Sequence, residues 1–102
     1  MNEIEEFIFR RFPNTGEDNN RWRDGNCLWF AIILTKRFPK LKIYYFSTAG
    51  HFVAGKDNKG IIEYYDATGR VYPDKDENVL ELNQIRKVDN MWFRRLIRDC
   101  FK

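Results

Sequence analysis

Three residues that could cooperate in nucleophilic catalysis occur along the chain in the order Cys27, His51 and Asp66. A thiol attacks a carbonyl carbon as the thiolate, and the unpaired N–H groups at the start of a helix lower the pKa of a cysteine placed there. A nearby imidazole would hold the thiolate as an ion pair, and a carboxylate on the second ring nitrogen would fix the orientation of the ring. The three residue types therefore predict a triad with an activated thiolate as its nucleophile.

The segment that carries Cys27 is predicted to be a buried central helix over residues 27–38. It is apolar nearly all round for two turns, becomes basic at its end and is followed by Pro39. A strand is the alternative for such a short apolar run, but the basic last turn and the proline favour a helix. We therefore expect Cys27 at or near a helix N-terminus.

The other two residues of the triad lie in a predicted antiparallel meander with strands over 41–47, 51–56 and 61–66, runs rich in β-branched and aromatic residues. Whether His51 and Asp66 meet depends on the turn between the second and third strands. A turn at 58–59 or over 57–60 sets the two residues directly opposite each other on one face. A three-residue loop over 58–60, with Gly60 left-handed, shifts the register by one and puts them on opposite faces.

The remaining segments are predicted to flank this core. Apolar residues at helical spacing between residues 4 and 12 predict a first helix with Asn2 as its N-cap, and residues 13–26 have the composition of an ordered surface loop. The chain after Gly69 is polar to residue 78 and is expected to be a loop, whereas residues 79–88 fit either a turn with a short helix or an edge strand. A last helix is expected to begin at Asp89 or Asn90, with Cys100 on its apolar stripe as a packing residue.

Length and composition restrict the class of protein. The chain has 102 residues, 43% of them hydrophobic and 17% aromatic, which predicts one folded α+β domain. Two cysteines and one histidine are too few for a disulfide framework or a zinc site, so we expect no metal and no organic cofactor. An acidic N-terminus and the lack of a long apolar run predict a cytoplasmic protein.

Three short motifs resemble the papain-like cysteine peptidase superfamily: Gly25-Asn26-Cys27, Gly50-His51-Phe52-Val53 and Tyr64-Tyr65-Asp66-Ala67-Thr68-Gly69. The likeness spans roughly residues 20–72 and is nearest to the small cell-wall-peptidase and transglutaminase-like branches, and to compact bacterial and phage proteins. It implies that residues 1–102 form a single papain-like domain. It also implies that Cys27 is the nucleophile, His51 the general base and acid, and Asp66 the orienting group, with a thioester intermediate in the cleavage of a peptide or isopeptide amide.

The sequence departs from the pattern of that superfamily at the oxyanion hole. Many members carry a glutamine about six residues before the cysteine, and Arg21 stands at that position here. The candidate substitutes are Asn19, Asn20 and Asn26, beside the backbone N–H of the cysteine, and losing one such donor typically costs about 10²- to 10³-fold in rate. The candidate substrate-binding residues are Trp22, Trp29 and Gly50.

Two other classes of function compete with catalysis. A catalytically inert copy of the same fold could serve as a protein-binding module, such as a phage- or plasmid-borne inhibitor. A nucleic-acid interface is not favoured, because carboxylates are interleaved with the basic residues, as on a solvated helix face. The expected partner is therefore a peptide or protein substrate, or a protein partner.

Overall fold

Two helices pack on a five-stranded antiparallel sheet in the part of the chain that the computed structural model describes, residues 2–12 and 27–83. The elements are α1 (Glu3–Arg11), α2 (Cys27–Arg37), β1 (Lys42–Phe46), β2 (His51–Asn58), β3 (Ile61–Asp66), β4 (Gly69–Val71) and β5 (Val79–Glu81). The strands lie in the sheet in the order β4-β3-β2-β1-β5. The predicted α+β class is confirmed.

The first helix begins where its cap predicts. The side chain of Asn2 accepts a hydrogen bond from the backbone N–H of Glu5 at 2.8 Å, which satisfies one of the free donors of the first turn. Ile4 and Ile8, one turn apart, point into the core. The side chain of Asn2 also donates a hydrogen bond, from Nδ2 to the hydroxyl oxygen of Tyr65 in β3 at 2.8 Å. This contact ties the start of α1 to the sheet.

The central helix is confirmed and begins at Cys27. Phe30 and Leu34 pack with Ala54 and Tyr65 of the sheet and with the isoleucines of α1 in the main core. A second cluster joins Cys27 to buried aromatic residues of β1 and β2. Cys27 and Leu28 at the start of this helix are buried because they pack against these aromatic residues.

The meander of β1, β2 and β3 is confirmed, but the turn between β2 and β3 differs from those considered. It is the two-residue turn Lys59–Gly60, with φ of 56° and 89° at the two positions. Such left-handed pairs match the twist of a hairpin. The register pairs Ala54 with Tyr65 and Asn58 with Ile61, so His51 is not directly opposite Asp66.

Two short edge strands enlarge the sheet beyond the three or four strands expected. Gly69–Val71 pairs with β3, although the loop expectation covered this segment, and Val79–Glu81 pairs with β1, which confirms the edge-strand alternative. Gly69 has a φ of 109° and lies under the ring of Phe9, where a Cβ would be 2.8 Å from the ring. The expected last helix, with Cys100, lies outside the described residues.

An aromatic pair flanks the middle of β2. The rings of Tyr44 and Tyr64 meet edge to face, with centroids 5.4 Å apart, across Gly55. A Cβ at Gly55 would lie 2.5 Å from a carbon of the Tyr44 ring, so glycine is required for this packing.

Within the described ranges, no helix has the length and hydropathy needed to cross a membrane.

Candidate functional site

The ends of three elements meet where β2 begins and β3 ends, at one end of the inner strands of the sheet. Cys27 is the first residue of α2, His51 is the first residue of β2 and Asp66 is the last residue of β3. Because β2 and β3 are antiparallel, the start of one strand and the end of the other lie side by side. All three residues are largely shielded from solvent: Cys27 is 2% exposed, and the side chains of His51 and Asp66 are 17% and 8% exposed.

His51 and Asp66 are in direct contact. Nε2 of the imidazole is 3.0 Å from Oδ2 of the carboxylate. This contact is a hydrogen bond, and it is also an ion pair when the ring is protonated. Extending the register of the hairpin places Val53 opposite Asp66, so His51 reaches the carboxylate diagonally. Neither of the two registers considered for this hairpin is therefore the one observed. The contact survives because the register differs by an even number of residues, which keeps both side chains on one face.

The chain just after β3 holds the other oxygen of the carboxylate. Oδ1 of Asp66 accepts a hydrogen bond from the backbone N–H of Thr68 at 2.7 Å and a second one from the Thr68 hydroxyl. Burial alone would raise the pKa of this carboxyl, but the bonds to His51 and to both groups of Thr68 outweigh it and hold the pKa below its usual value. Asp66 is therefore the charged partner of the imidazole.

The imidazole of His51 also interacts with the thiol of Cys27, through a side-chain hydrogen bond and through charge. Since Nε2 faces Asp66, the ring nitrogen that remains for the thiol is Nδ1. Burial lowers the pKa of the imidazole, but the hydrogen bonds and charges of Asp66 and Cys27 prevail and raise this pKa to about 9. The geometry thus favours a protonated ring between two groups that gain from its positive charge.

The turn that delivers His51 is tied to the segment before β5. The carboxylate of Glu77 accepts hydrogen bonds from the backbone N–H groups of Thr48 at 2.7 Å and Ala49 at 3.0 Å. Ser47 donates to the carbonyl of Asn78 from both its backbone N–H and its hydroxyl. Burial opposes the charge of Glu77, but these N–H donors hold its pKa below the usual value. The backbone on the N-terminal side of His51 is thereby fixed.

The predicted substrate-binding residues are distributed differently. Gly50 is exposed, directly precedes His51 and has a φ of 67°, a left-handed conformation that suits glycine. Trp29 is 49% exposed, and its two-residue offset in the helix turns it about 200° from Cys27. Trp22 and the oxyanion candidates Asn19, Asn20 and Asn26 lie outside the described residues.

The sequence reasoning missed Thr68 and Glu77. A threonine two residues after an aspartate at a strand end is a recognisable turn signal, in which the carboxylate accepts from the following backbone N–H. No local signal marks Glu77, because its partners in the 47–50 turn are nearly thirty residues away along the chain.

Two cavities lined by described residues lie away from the triad. A cavity of about 310 Å³ lies beside β5 and the start of β1, and one of about 350 Å³ lies at the C-terminal end of α2. Neither is lined by Cys27, His51 or Asp66. Among residues 2–12 and 27–83, no three His, Cys, Asp or Glu side chains cluster in a way that could hold a metal ion.

Comparison with known proteins identifies a family different from the one that the motifs suggested. No curated protein and no solved structure matches the chain. A family model for the Phage YunG-like protein matches residues 8–100, nearly the whole length. The assignment to the papain-like superfamily, on three motifs of three to six residues, is therefore wrong. The chain belongs to the Phage YunG-like protein family.

Proposed function

We propose that this protein is a small thiol hydrolase of the peptidase or amidase type, with Cys27, His51 and Asp66 as its catalytic residues. One observation carries the proposal: the imidazole of His51 contacts the Asp66 carboxylate through Nε2 and is hydrogen-bonded to the Cys27 thiol. Each residue type is common in structural roles. Nucleophilic acyl transfer needs a particular arrangement of them. The imidazole contacts a thiol at a helix start on one side and a buried carboxylate on the other.

The chemistry follows from the two nitrogens of the ring. The proton of the thiol is held by Nδ1 of His51, and Sγ of Cys27 attacks the acyl carbon of an amide to form a tetrahedral oxyanion. As the C–N bond breaks, the imidazolium gives its proton to the departing amine, which leaves a thioester on Cys27. The neutral ring then accepts a proton from water as the water attacks the thioester. The C–S bond breaks, which releases the carboxylic acid and restores the thiolate–imidazolium pair.

Two features support the remaining roles. A backbone N–H at a helix start and the side-chain amide of an asparagine are typical oxyanion donors, so this proposal assigns that role to the amide of Cys27 together with Asn19, Asn20 or Asn26. Asp66 supports the imidazolium because its pKa is held low and it is charged at neutral pH. The proposal also keeps a cytoplasmic site of action, one domain over residues 1–102 with a helix near its end, and a peptide or protein substrate, without a metal or organic cofactor.

A second candidate function is protein binding without catalysis. The observation that favours it is the burial of Cys27, which at 2% exposure leaves its sulfur almost no surface for a large acyl substrate. Under this alternative, the three residues form a structural hydrogen-bond network, and the chain acts on a protein partner through its surface. The two candidates differ in the reactivity of the thiol, which can be measured without knowing a substrate.

The test is the pH dependence of Cys27 alkylation by iodoacetamide. All variants carry Cys100→Ser, so that Cys27 is the only thiol. We expect the native protein to react rapidly well below the ordinary thiol pKa of about 8.5, and His51→Ala to lose this low-pH reactivity. The same protein unfolded in urea gives the intrinsic rate of the thiol.

Two outcomes would decide between the candidates. A native rate at pH 6 above that of the unfolded chain, and abolished by His51→Ala, supports the hydrolase. A native rate below that of the unfolded chain at every pH, unaffected by His51→Ala, refutes an activated thiol and leaves the binding protein. Thermal unfolding of each variant shows whether a lost rate reflects a lost fold.

A further inference from the structure

We propose that Thr68 is a positioning residue of the site, which holds the Asp66 carboxylate in the orientation that His51 requires. This inference rests on the proposed function, because orientation of the imidazole matters for the reactivity of Cys27 only if the thiol is activated. In the proposed role, Thr68 does not act directly on the imidazole or the thiol. It acts through Asp66.

The two oxygens of the carboxylate have separate tasks. Oδ1 receives the backbone N–H and the hydroxyl of Thr68, whereas Oδ2 faces Nε2 of His51. A carboxylate attached through one bond can rotate, and a single contact at Oδ2 would leave that rotation free. Two donors from one residue on Oδ1 fix the plane of the group and therefore the direction in which Oδ2 presents its lone pairs.

The backbone of Thr68 is itself held in place. It lies in the tight connection between β3 and β4, and the next residue, Gly69, pairs with Asp66 in the sheet. Gly69 is in a left-handed conformation beneath the ring of Phe9, a close contact that leaves no room for a Cβ. The donors on Thr68 are therefore anchored by the sheet on one side and by α1 on the other.

The hydroxyl can be removed without changing the shape of the side chain, and its two conceivable effects on His51 have opposite signs. If the hydroxyl only withdraws charge from the carboxylate, Thr68→Val leaves more negative charge on Oδ2 and raises the pKa of His51. If the hydroxyl orients the carboxylate, the same substitution weakens the bond to His51 and lowers this pKa. The direction of the change separates electrostatic tuning from positioning.

The experiment compares Thr68→Val with Thr68→Ser, which keeps the hydroxyl, both in the Cys100→Ser background. His51 is the only histidine, so its imidazole proton signals titrate without overlap from another ring in a proton NMR spectrum. We expect Thr68→Val to weaken proton binding by His51 about tenfold, a fall of about one in its pKa, and to slow alkylation of Cys27 at pH 6 to a similar degree. Thr68→Ser should retain the wild-type titration and rate.

The outcomes separate this inference from the proposed function. If the wild-type thiol reacts as an activated pair but Thr68→Val leaves the His51 titration unchanged or raises the pKa, the positioning role is overturned and the hydrolase proposal stands. If the wild-type thiol reacts as an ordinary cysteine, both are overturned. A purely structural threonine would lower the thermal unfolding temperature of the valine variant without moving the titration, which also refutes the inference.

Discussion

The hydrogen bond to the Asp66 carboxylate should be the largest single support for the protonated state of His51. In the native site, the pKa of the imidazole rises from 6.5 to about 9, which corresponds to about 3 kcal/mol in favour of the charged ring. Burial works in the opposite direction, so the attraction from Asp66 and Cys27 exceeds this net value. Removing one of the two partners should therefore have a large effect.

Asp66→Asn keeps the shape of the side chain and removes its charge. An opposite charge within about 4–6 Å typically moves a pKa by about 1–3, so we expect the pKa of His51 to fall by an amount in this range. The assay is the proton NMR titration of the single histidine, and Asp74→Asn, the same change at an exposed carboxylate, is the matched control. A pKa that stays near 9 in Asp66→Asn would refute the argument and leave Cys27 as the partner that holds the proton.

The same pair predicts a pH dependence of stability. A raised pKa in the folded state means that the contribution of His51 is fully present below pH 6.5 and is lost as the pH rises through the folded value. The pKa of Asp66 is lowered, so its contribution is present above pH 3.8 and is lost as the pH falls through the lower folded value. A thiolate at Cys27 would release a proton on folding and offset the uptake by His51, so the measurement uses Cys27→Ser.

Urea unfolding of Cys27→Ser, with and without Asp66→Asn, isolates the contribution of the His51–Asp66 pair to the free energy of unfolding. We expect the free energy of unfolding to fall by about 1–3 kcal/mol more in Cys27→Ser than in the double variant between pH 6 and pH 9. Parallel pH profiles for the two proteins would contradict the assignment of an ion pair to His51 and Asp66.

Three further predictions concern the scaffold. Gly55→Ala should lower the free energy of unfolding by about 1–3 kcal/mol, because its new Cβ would overlap the ring of Tyr44; equal urea midpoints for the two proteins would contradict this packing. Glu77→Gln should weaken the hydrogen bonds at Thr48 and Ala49 and accelerate exchange of their amide protons, which hydrogen-exchange NMR measures; unaltered protection would mean that the carboxylate does not hold the turn. Asn2→Ala should cost about 1 kcal/mol in thermal or urea unfolding, and a neutral result would show that the cap is not needed.

The helices and strands that carry the site were predicted better from the sequence than the register of the hairpin that joins β2 to β3. Helical spacing behind Asn2, the apolar run from Cys27 and the β-rich runs up to Asp66 each depend on local patterns, and the corresponding elements are present. The hairpin register depends on which two residues form the turn. Lys59 occupies a left-handed position that non-glycine residues seldom adopt, so the composition of 57–60 did not single out this turn.

The two edge strands and the support of the site depend on contacts between distant segments. Gly69–Val71 has too few residues to carry a strand pattern and is a strand because β3 offers it a partner. Glu77 holds the turn before His51 across the sheet. Such features arise from tertiary structure and leave no local periodicity. The motif likeness failed for a related reason, since short motifs constrain a site far more than they constrain a family.

The hairpin that joins β2 to β3 gives the site an uneven architecture. His51 and Asp66 are only fifteen residues apart and are brought together by one two-residue turn, so the acid–base half of the site assembles within a local unit at a low cost in loop entropy. The proposed nucleophile, Cys27, comes from a separate helix. If the protein is the proposed hydrolase, a single substitution at Cys27 abolishes catalysis and leaves the hairpin intact, so that enzyme and an inert binding protein on this scaffold are separated by one mutational step.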